Sequence, residues 1–189
     1  HMALSIAQPL SVGVYSDGEY LDLVLTESLG VGEVIEKLNE SAPPTIKFLH
    51  ATPVEIIENV KRLPQAMALL DGARYTIKVK LNGTSKVEEE MGKTLNESKW
   101  EIVKKTKKGE KLTDIKPLVK EFKYWVKDNE LILNTLIATG SRENLSADLL
   151  VTYLKGKVSE INPDSFVNIK REEMYILKNN KYVPLYKGI

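Results

Sequence analysis

The sequence ARYTIKVKL, residues 73–81, alternates apolar and polar side chains from Tyr75 onward. Its apolar members are Tyr75, Ile77, Val79 and Leu81. Successive side chains of a strand point to opposite faces, so this alternation predicts a strand that is buried on one side only. We therefore expect the strand to pack on helices and to turn Arg74, Lys78 and Lys80 toward the opposite, open face.

The segments that follow predict a regular order of helices and strands. They are a helix opened by a capping box of Ser85 and Glu88, a strand over 100–106, a nearly all-apolar central strand over 131–138 covered on both faces, a helix capped by Ser146, and a strand over 166–177. From residue 73 onward the order is strand–helix–strand twice, with an insertion over 107–128. This is the split βαβ, or ferredoxin-like, arrangement.

The first 71 residues predict a shorter version of the same order. A strand over 19–25 precedes an amphipathic helix, Pro43-Pro44 ends that helix, and residues 45–55 return as an extended segment. The apolar stripe of the helix consists of Val31, Val34, Ile35 and Leu38. We predict an α+β fold of two ferredoxin-like units, an incomplete one over 1–71 and a complete one over 72–189, with antiparallel sheets and helices on one face. The alternative is a single irregular α+β domain.

The composition excludes several kinds of chemistry. The 27 Lys and Arg residues nearly balance the 26 Asp and Glu residues, so a polyanion partner must be sought in local charge clusters. The chain has no cysteine, which excludes disulfides, iron–sulfur clusters, thiolate metal sites and a cysteine nucleophile. His50 is the only histidine apart from His1, which excludes a multi-histidine zinc site. We therefore predict no cofactor, no metal and no catalytic residue.

The hydrophobic pattern also bears on location. No apolar run approaches the roughly 20 residues that a membrane-spanning helix needs. No charged and then apolar signal peptide opens the sequence. We expect a cytoplasmic protein without membrane association.

The first candidate for a binding site is the lysine-rich sequence KKTKKGEK, residues 104–111. Gly109 can adopt the positive φ of a tight turn, so we predict a hairpin with a basic tip. Its candidate phosphate contacts are Lys104, Lys105, Lys107, Lys108 and Lys111. The alternative is an exposed hairpin edge whose lysines prevent sheet-to-sheet aggregation.

The second candidate is the open face of the sheet. Its members are Arg74, Lys78 and Lys80 of the first strand, with Lys123, Trp125 and Lys127 of a strand over 121–127. A tryptophan among lysines is typical of surfaces that stack the bases and contact the phosphates of single-stranded nucleic acid. The alternative is that a neighbouring domain or subunit covers the tryptophan.

A third candidate precedes the helix capped by Ser146. Gly140 and Ser141 offer free backbone amides and Arg142 adds a guanidinium, a combination that can bind a phosphate or carboxylate. A plain capped turn is the favoured alternative, because neither the Walker pattern nor the dinucleotide glycine pattern is present. Asp114 and Lys116 are interpreted as a structural pair and not as catalytic groups.

Three segments together resemble the radical SAM-linked protein family, a bacterial domain of unknown function. They are PLSVGVYSDGEYLDL (9–23), WEIVKKTKKGEKLTDIKPLV (100–119) and ATGSRENLSADLL (138–150). Members of that family are fused behind a radical SAM enzyme or encoded beside one, so the resemblance implies a radical SAM enzyme as partner. They usually begin with a further strand and helix, which this sequence lacks.

These observations lead to one functional hypothesis and two alternatives. We expect a non-catalytic accessory module that helps a radical SAM enzyme engage RNA, such as tRNA or rRNA. The first alternative is a protein-interaction scaffold that docks the partner enzyme or forms a homodimer through exposed apolar surface. An enzyme in its own right is the least favoured alternative, because the chain has so few catalytic side-chain types.

Overall fold

The structure is a computed structural model that describes residues 3–54, 64–106 and 109–188. Its helices and strands are β1 (Ala3–Ile6), β2 (Val14–Ser16), β3 (Leu21–Val24), α1 (Val31–Ser41), α2 (Ala66–Leu69), β4 (Gly72–Lys80), α3 (Val87–Asn96), β5 (Glu101–Thr106), β6 (Gly109–Asp114), a 3₁₀ turn (Lys116–Leu118), β7 (Val119–Lys127), β8 (Glu130–Ala138), α4 (Ala147–Lys155), β9 (Asn168–Lys178), β10 (Lys181–Pro184) and α5 (Leu185–Gly188). This mixture of helices with antiparallel and mixed sheets confirms the α+β prediction.

The main sheet has the strand order β10-β9-β4-β8-β7, and each neighbouring pair in that order is antiparallel. Strand β2 lies beside β9 in the parallel direction, which makes the sheet mixed. The prediction of purely antiparallel sheets is therefore wrong at this pairing. It failed because β2 comes from the part of the chain that was assigned to the other unit.

The predicted alternation along β4 is confirmed. Tyr75, Ile77 and Val79 are buried, whereas Lys78 and Lys80 are exposed. Strand β8 lies between β4 and β7 and is buried on both faces, as its apolar sequence predicts. On the open face, the buried Ile132 and Leu136 of β8 alternate with the polar Glu130 and Asn134.

Helices α3 and α4 cover the other face of the main sheet. Val87 and Met91 of α3 and Leu150 and Leu154 of α4 are fully buried in the core that includes the inward side chains of β4. Burial of this kind is the main stabilising contribution to such a fold. The helices thus leave the opposite face of the sheet free for another role.

The two predicted helix caps have different outcomes. The Ser146 hydroxyl accepts a hydrogen bond from the backbone N–H of Leu149 at 3.3 Å, which confirms it as the N-cap of α4. The prediction of a Ser85–Glu88 capping box is wrong, because Glu160 binds the N-terminus of α3 instead. Its carboxylate accepts from the Ser85 hydroxyl at 2.8 Å and from the backbone N–H of Lys86 at 2.7 Å. A carboxylate at a helix N-terminus satisfies free N–H groups and complements the helix dipole.

The N-terminal region departs most from its prediction. Helix α1 forms and ends before Pro43-Pro44, but none of its residues is buried. Residues 46–54 form neither helix nor strand, so the predicted extended segment does not join a sheet where it is described; Glu55 lies outside the described residues. Strand β1 pairs only with β3. The predicted boundary between 71 and 72 and the ferredoxin-like units stay predictions.

Candidate nucleic-acid interface

The open face of the main sheet carries basic side chains around an exposed tryptophan. Strand pairing places Trp125 beside Ile132 and Ile132 beside Lys78, and it places Lys127 beside Glu130 and Glu130 beside Lys80. The members of this open-face cluster are Lys78, Lys80, Lys123, Trp125 and Lys127. Trp125 is 43% exposed, and its strand partner Ile132 is buried.

The sheet geometry fixes the spacing of the open-face cluster. Neighbouring strands lie about 4.8 Å apart, so the Cα atoms of Trp125 and Lys78 are separated by about 10 Å. Alternate residues of one strand lie about 7 Å apart, which is the spacing from Trp125 to Lys123 and to Lys127. The indole therefore has lysines on both sides along its strand and a third across the sheet.

The four lysines of the cluster keep their charges available. Within the described part of the chain, no carboxylate lies within ion-pair distance of Lys78, Lys80, Lys123 or Lys127. Three carboxylates share the face: Glu130 lies between Lys127 and Lys80 in the register, Glu121 pairs with Arg74, and Glu172 accepts from Thr76, so the surface carries both charges. An unpaired ammonium on an open surface can contact a phosphate without first giving up another partner.

Arg74 shares the face but already has partners. Its guanidinium donates to Glu121 at 2.7 Å and to Asn134 at 3.0 Å, and it lies 5.9 Å from the centre of the Tyr175 ring. Arg74 is predicted to lie with the lysines because alternation along the strand puts it on the same face. The structure places it on the same face but in a local network.

The lysine-rich hairpin forms as predicted. Thr106 pairs with Gly109, whose φ is 116°, and Lys104 lies opposite Lys111 in the register. Lys111 is exposed, and the Lys104 ammonium donates to the carbonyl oxygen of Asn144 at 3.2 Å. Lys107 and Lys108 lie outside the described residues, as does the side chain of Lys105.

The hairpin lies at one end of β8, whereas Lys80 and Lys127 of the open-face cluster lie at the other end and Lys123 lies beside its middle. Lys104 contacts Asn144, whose neighbour Leu145 is hydrogen-bonded to Ala138 at the end of β8. Lys80 and Lys127 flank Glu130 at the beginning of the same strand. Eight residues of extended chain separate the two ends, a distance of about 27 Å. The structure therefore does not bring the predicted basic residues together into one surface.

In the loop over 140–142, which is predicted to bind an anion, the arginine is already hydrogen-bonded within the protein. The Arg142 guanidinium donates to Asp71 at 2.5 Å, and the other oxygen of Asp71 accepts from the backbone N–H of Leu177 at 2.8 Å. Gly140 has a φ of 137°, and a Cβ there would collide with the carbonyl oxygen of Leu70. Gly140 and Arg142 thus close the loop onto the chain before β4, and Ser141 between them is exposed.

Asp114 organises the base of the hairpin. One carboxylate oxygen accepts from the backbone N–H of Trp100 at 2.8 Å and from that of Lys116 at 3.0 Å. The Trp100 hydrogen bond in particular lowers the pKa of Asp114 below its ordinary value. The Lys116 ammonium donates instead to the carbonyl oxygens of Leu95 and Glu97. Asp114 acts on the backbone at this turn, and the expected side-chain pair with Lys116 does not form.

One part of the open face was missed by the sequence analysis. We expected Phe166 to begin the last strand, but β9 begins at Asn168 and the Phe166 ring is 75% exposed. The preceding run Asn162-Pro163-Asp164-Ser165 has the composition of a turn and could have predicted this loop. The loop adds an aromatic side chain to the edge of the open face.

Together, the fold and the candidate site define a small α+β protein with helices on one face of its sheet and an open, lysine-bearing face on the other. Residues 1–147 match the model of the family described as "Uncharacterized protein conserved in bacteria (DUF2344)", and the chain belongs to that family. No curated protein and no solved structure matches the chain. Across the described ranges, no helix is long and apolar enough to cross a membrane. Membership of a bacterial family of unknown function confirms that part of the resemblance.

Proposed function

We propose that this protein is a non-catalytic accessory module that binds single-stranded RNA through its open-face cluster. The observation that carries the proposal is the exposed indole of Trp125 among lysines that form no ion pair within the described residues. Bases of any sequence stack on an aromatic ring, and lysines contact the phosphates beside them. Lysine is a point charge without the bidentate geometry that reads bases, so these contacts provide affinity more than sequence preference.

The order of strands supports this proposal. Strands β9, β4, β8 and β7 are neighbours in that order, α3 connects β4 toward β7, and α4 connects β8 to β9. We propose that these elements form a ferredoxin-like, split βαβ unit. Common RNA-binding modules use the open face of a four-stranded sheet with stacking aromatic side chains. Helices α3 and α4 pack on one face of the sheet, and the open-face cluster lies on the other.

The resemblance of three segments to the radical SAM-linked family supplies the biological setting. We propose that the module works in the bacterial cytoplasm beside or within a radical SAM system and presents RNA, such as tRNA or rRNA, to the enzyme. The lysine-rich hairpin is then a second phosphate contact at the far end of the sheet. A strand of RNA that touched both clusters would extend over about 27 Å.

The proposal is tested by the affinity of the full chain for a fluorescein-labelled single-stranded RNA. We expect Trp125→Ala to weaken binding by about 1–3 kcal/mol, or about 5- to 150-fold in Kd, because the stacking surface is lost. Fluorescence anisotropy measures the Kd. Tyr186→Ala is the matched control, because Tyr186 is 45% exposed, lies in α5 and is outside the open-face cluster. Equal Kd values for the wild type and Trp125→Ala would refute the role of the indole.

A second candidate function is a scaffold that docks another protein on the N-terminal region. Large apolar side chains are exposed there on β1, β3, α1 and the following loop, namely Leu4, Ile6, Val24, Val31, Ile46, Leu49 and Val54. The same described stretch, residues 3–54, carries seven carboxylates, of which Asp17 and Glu19 pair with Lys170 and Arg171 of β9; the other five (22, 27, 33, 36 and 40) stand against Lys37 and Lys47. A partner with an apolar patch and basic neighbours would suit this surface. Sedimentation equilibrium distinguishes a homodimer from a different partner.

A further inference from the structure

A depression of about 440 Å³ lies at the edge of the open face, next to Lys78 and Lys80. Its outer wall is the loop from Asn162 to Phe166. Three hydrogen bonds hold this loop: the Asn162 N–H donates to the carbonyl oxygen of Lys80 at 2.9 Å, the Ser165 hydroxyl to that of Asn162 at 3.0 Å, and the Asp164 N–H to the Asn162 side chain at 3.0 Å. Sites for small ligands have volumes of this order. The depression is therefore large enough for one heterocyclic base and open to solvent.

An exposed aromatic ring borders the depression. Phe166 is 75% exposed, and no other ring within the described residues stacks on it. Two residues later, Asn168 pairs with Lys78, which lies in the same cross-strand row as Ile132 and Trp125. Three strand spacings, or about 14 Å, separate Trp125 from Asn168. The row thus runs from Trp125 through Lys78 to Asn168, and Phe166 lies two residues before Asn168 in the chain.

The charges of the depression are mixed. Lys78 and Lys80 line it together with Glu130 and Asp164, so its formal charges cancel. A site that captured only phosphate would carry a net positive charge. This depression instead offers hydrogen-bond donors and acceptors side by side, which matches the edge of a base better than a phosphate.

The amide of Asn168 adds a group that can donate and accept at once. It lines the depression, and its side chain has no hydrogen-bond partner within the part of the chain that the structure describes. Asparagine amides pair with the amino group and ring nitrogen of adenine, and carboxylates accept from the amino group of cytosine. Uracil has no amino group to donate to Glu130 or Asp164.

We propose that this depression binds one unpaired base that carries an exocyclic amino group, namely adenine, cytosine or guanine, with Phe166 as its stacking surface. The inference rests on the proposed RNA binding and deepens it, because it adds base selection to a surface that otherwise contacts phosphates and any base. One nucleotide of the bound strand occupies the depression while another stacks on Trp125. Lys78 contacts the phosphate between them.

The test is a titration of the full-length, ¹⁵N-labelled protein with adenosine, cytidine and uridine, followed by NMR. Nucleosides carry no phosphate, so this measurement reports on the depression and not on the lysines. We expect the amide signals of residues 162–168 to shift, with adenosine or cytidine binding about fivefold or more tightly than uridine. Phe166→Ala is expected to weaken the binding of all three nucleosides by about fivefold or more. Asn168→Ala is expected to reduce the preference for adenosine over uridine. Tyr186→Ala is the matched control and leaves these shifts unchanged, because Tyr186 is exposed in α5 and lies outside the open-face cluster.

The outcomes separate this inference from the proposed function. Equal affinity for uridine, or no shift at 162–168 with millimolar nucleoside, overturns the base site even if RNA binds. The base site is also overturned if neither Phe166→Ala nor Asn168→Ala changes the affinity for RNA. If the nucleosides bind as expected but labelled RNA does not, the proposed RNA function fails while the depression remains a base site. Phe166 is exposed, so its replacement is not expected to prevent folding.

Discussion

Replacing Arg171 with methionine is expected to destabilise the protein by about 3 kcal/mol, because it breaks a buried charge network. Arg171 is 2% exposed on β9, and its guanidinium donates to both oxygens of Glu19 at 2.7 Å. It also donates to the carbonyl oxygen of Gln8 at 2.7 Å. The variant would leave the Glu19 carboxylate and the Gln8 carbonyl without this donor. We expect a loss near the low end of the range for buried ion pairs, because the Glu19 side chain is 33% exposed. Water can therefore solvate its carboxylate once the guanidinium is gone.

Chemical denaturation of the wild type and the variant measures this loss. Arg142→Met is the matched control, because the Arg142–Asp71 pair is largely exposed on the arginine side and is expected to contribute about 1 kcal/mol or less. The double variant Arg171→Met with Glu19→Gln is expected to recover part of the loss, because it removes the unpaired charge as well. A loss below about 1 kcal/mol for Arg171→Met would contradict the buried network as the link between the N-terminal region and the main sheet.

Replacing Trp100 with alanine is expected to destabilise the protein by about 3–5 kcal/mol, because it leaves a large cavity in the core. Trp100 is 2% exposed, stacks on Tyr153 of α4 at 5.4 Å between ring centres, and meets the edge of Phe122 of β7 at 5.9 Å. Its indole N–H donates to the carbonyl oxygen of Thr94 at 2.9 Å. The side chain thus joins α3, α4 and the base of the hairpin. Thermal and urea unfolding measure the loss.

Trp125, the other tryptophan of the chain, provides the control for Trp100→Ala. Trp125 is half-exposed on the open face, so Trp125→Ala is expected to change the free energy of unfolding by about 1 kcal/mol or less. The same variant is expected to lose RNA affinity. Trp100→Phe keeps most of the packing and separates the cavity from the lost hydrogen bond. Similar destabilisation by Trp100→Ala and Trp125→Ala would mean that the two rings do not have these separate roles.

The composition of the open face could be predicted from the sequence because its signal is local. Alternation over 73–81 and 121–127 assigns each side chain to a face without knowledge of the partner strands. The apolar sequence of 131–138 likewise predicts a strand buried on both faces. The structure confirms these strands and places Lys78, Lys80, Lys123, Trp125 and Lys127 on one surface.

The remaining features depend on contacts between distant parts of the chain. Glu19 and Arg171 are 152 residues apart, and no periodic pattern connects them. Glu160 displaces the expected capping box because it approaches the start of α3 from the loop after α4. Gly109 makes the hairpin recognisable in the sequence. Its position relative to the open face depends on a tertiary contact, in which the Lys104 ammonium donates to the carbonyl oxygen of Asn144. Local sequence predicts elements and faces, whereas these positions are set by tertiary packing.

An RNA-binding open face is expected to give RNA binding a strong salt dependence that its lysines control. For single-stranded nucleic acid the logarithm of affinity falls with the logarithm of salt concentration by about 0.7 per neutralised phosphate. We therefore consider the variant in which glutamine replaces the four lysines of the cluster, Lys78, Lys80, Lys123 and Lys127. It is expected to reduce the slope of log affinity against log salt by up to about 2.8. A control variant neutralises four exposed lysines outside the cluster, namely Lys86, Lys93, Lys99 and Lys187, with the same change in net charge. A reduced slope in the first variant alone supports an RNA-binding open face, and an equal slope in the two variants contradicts it.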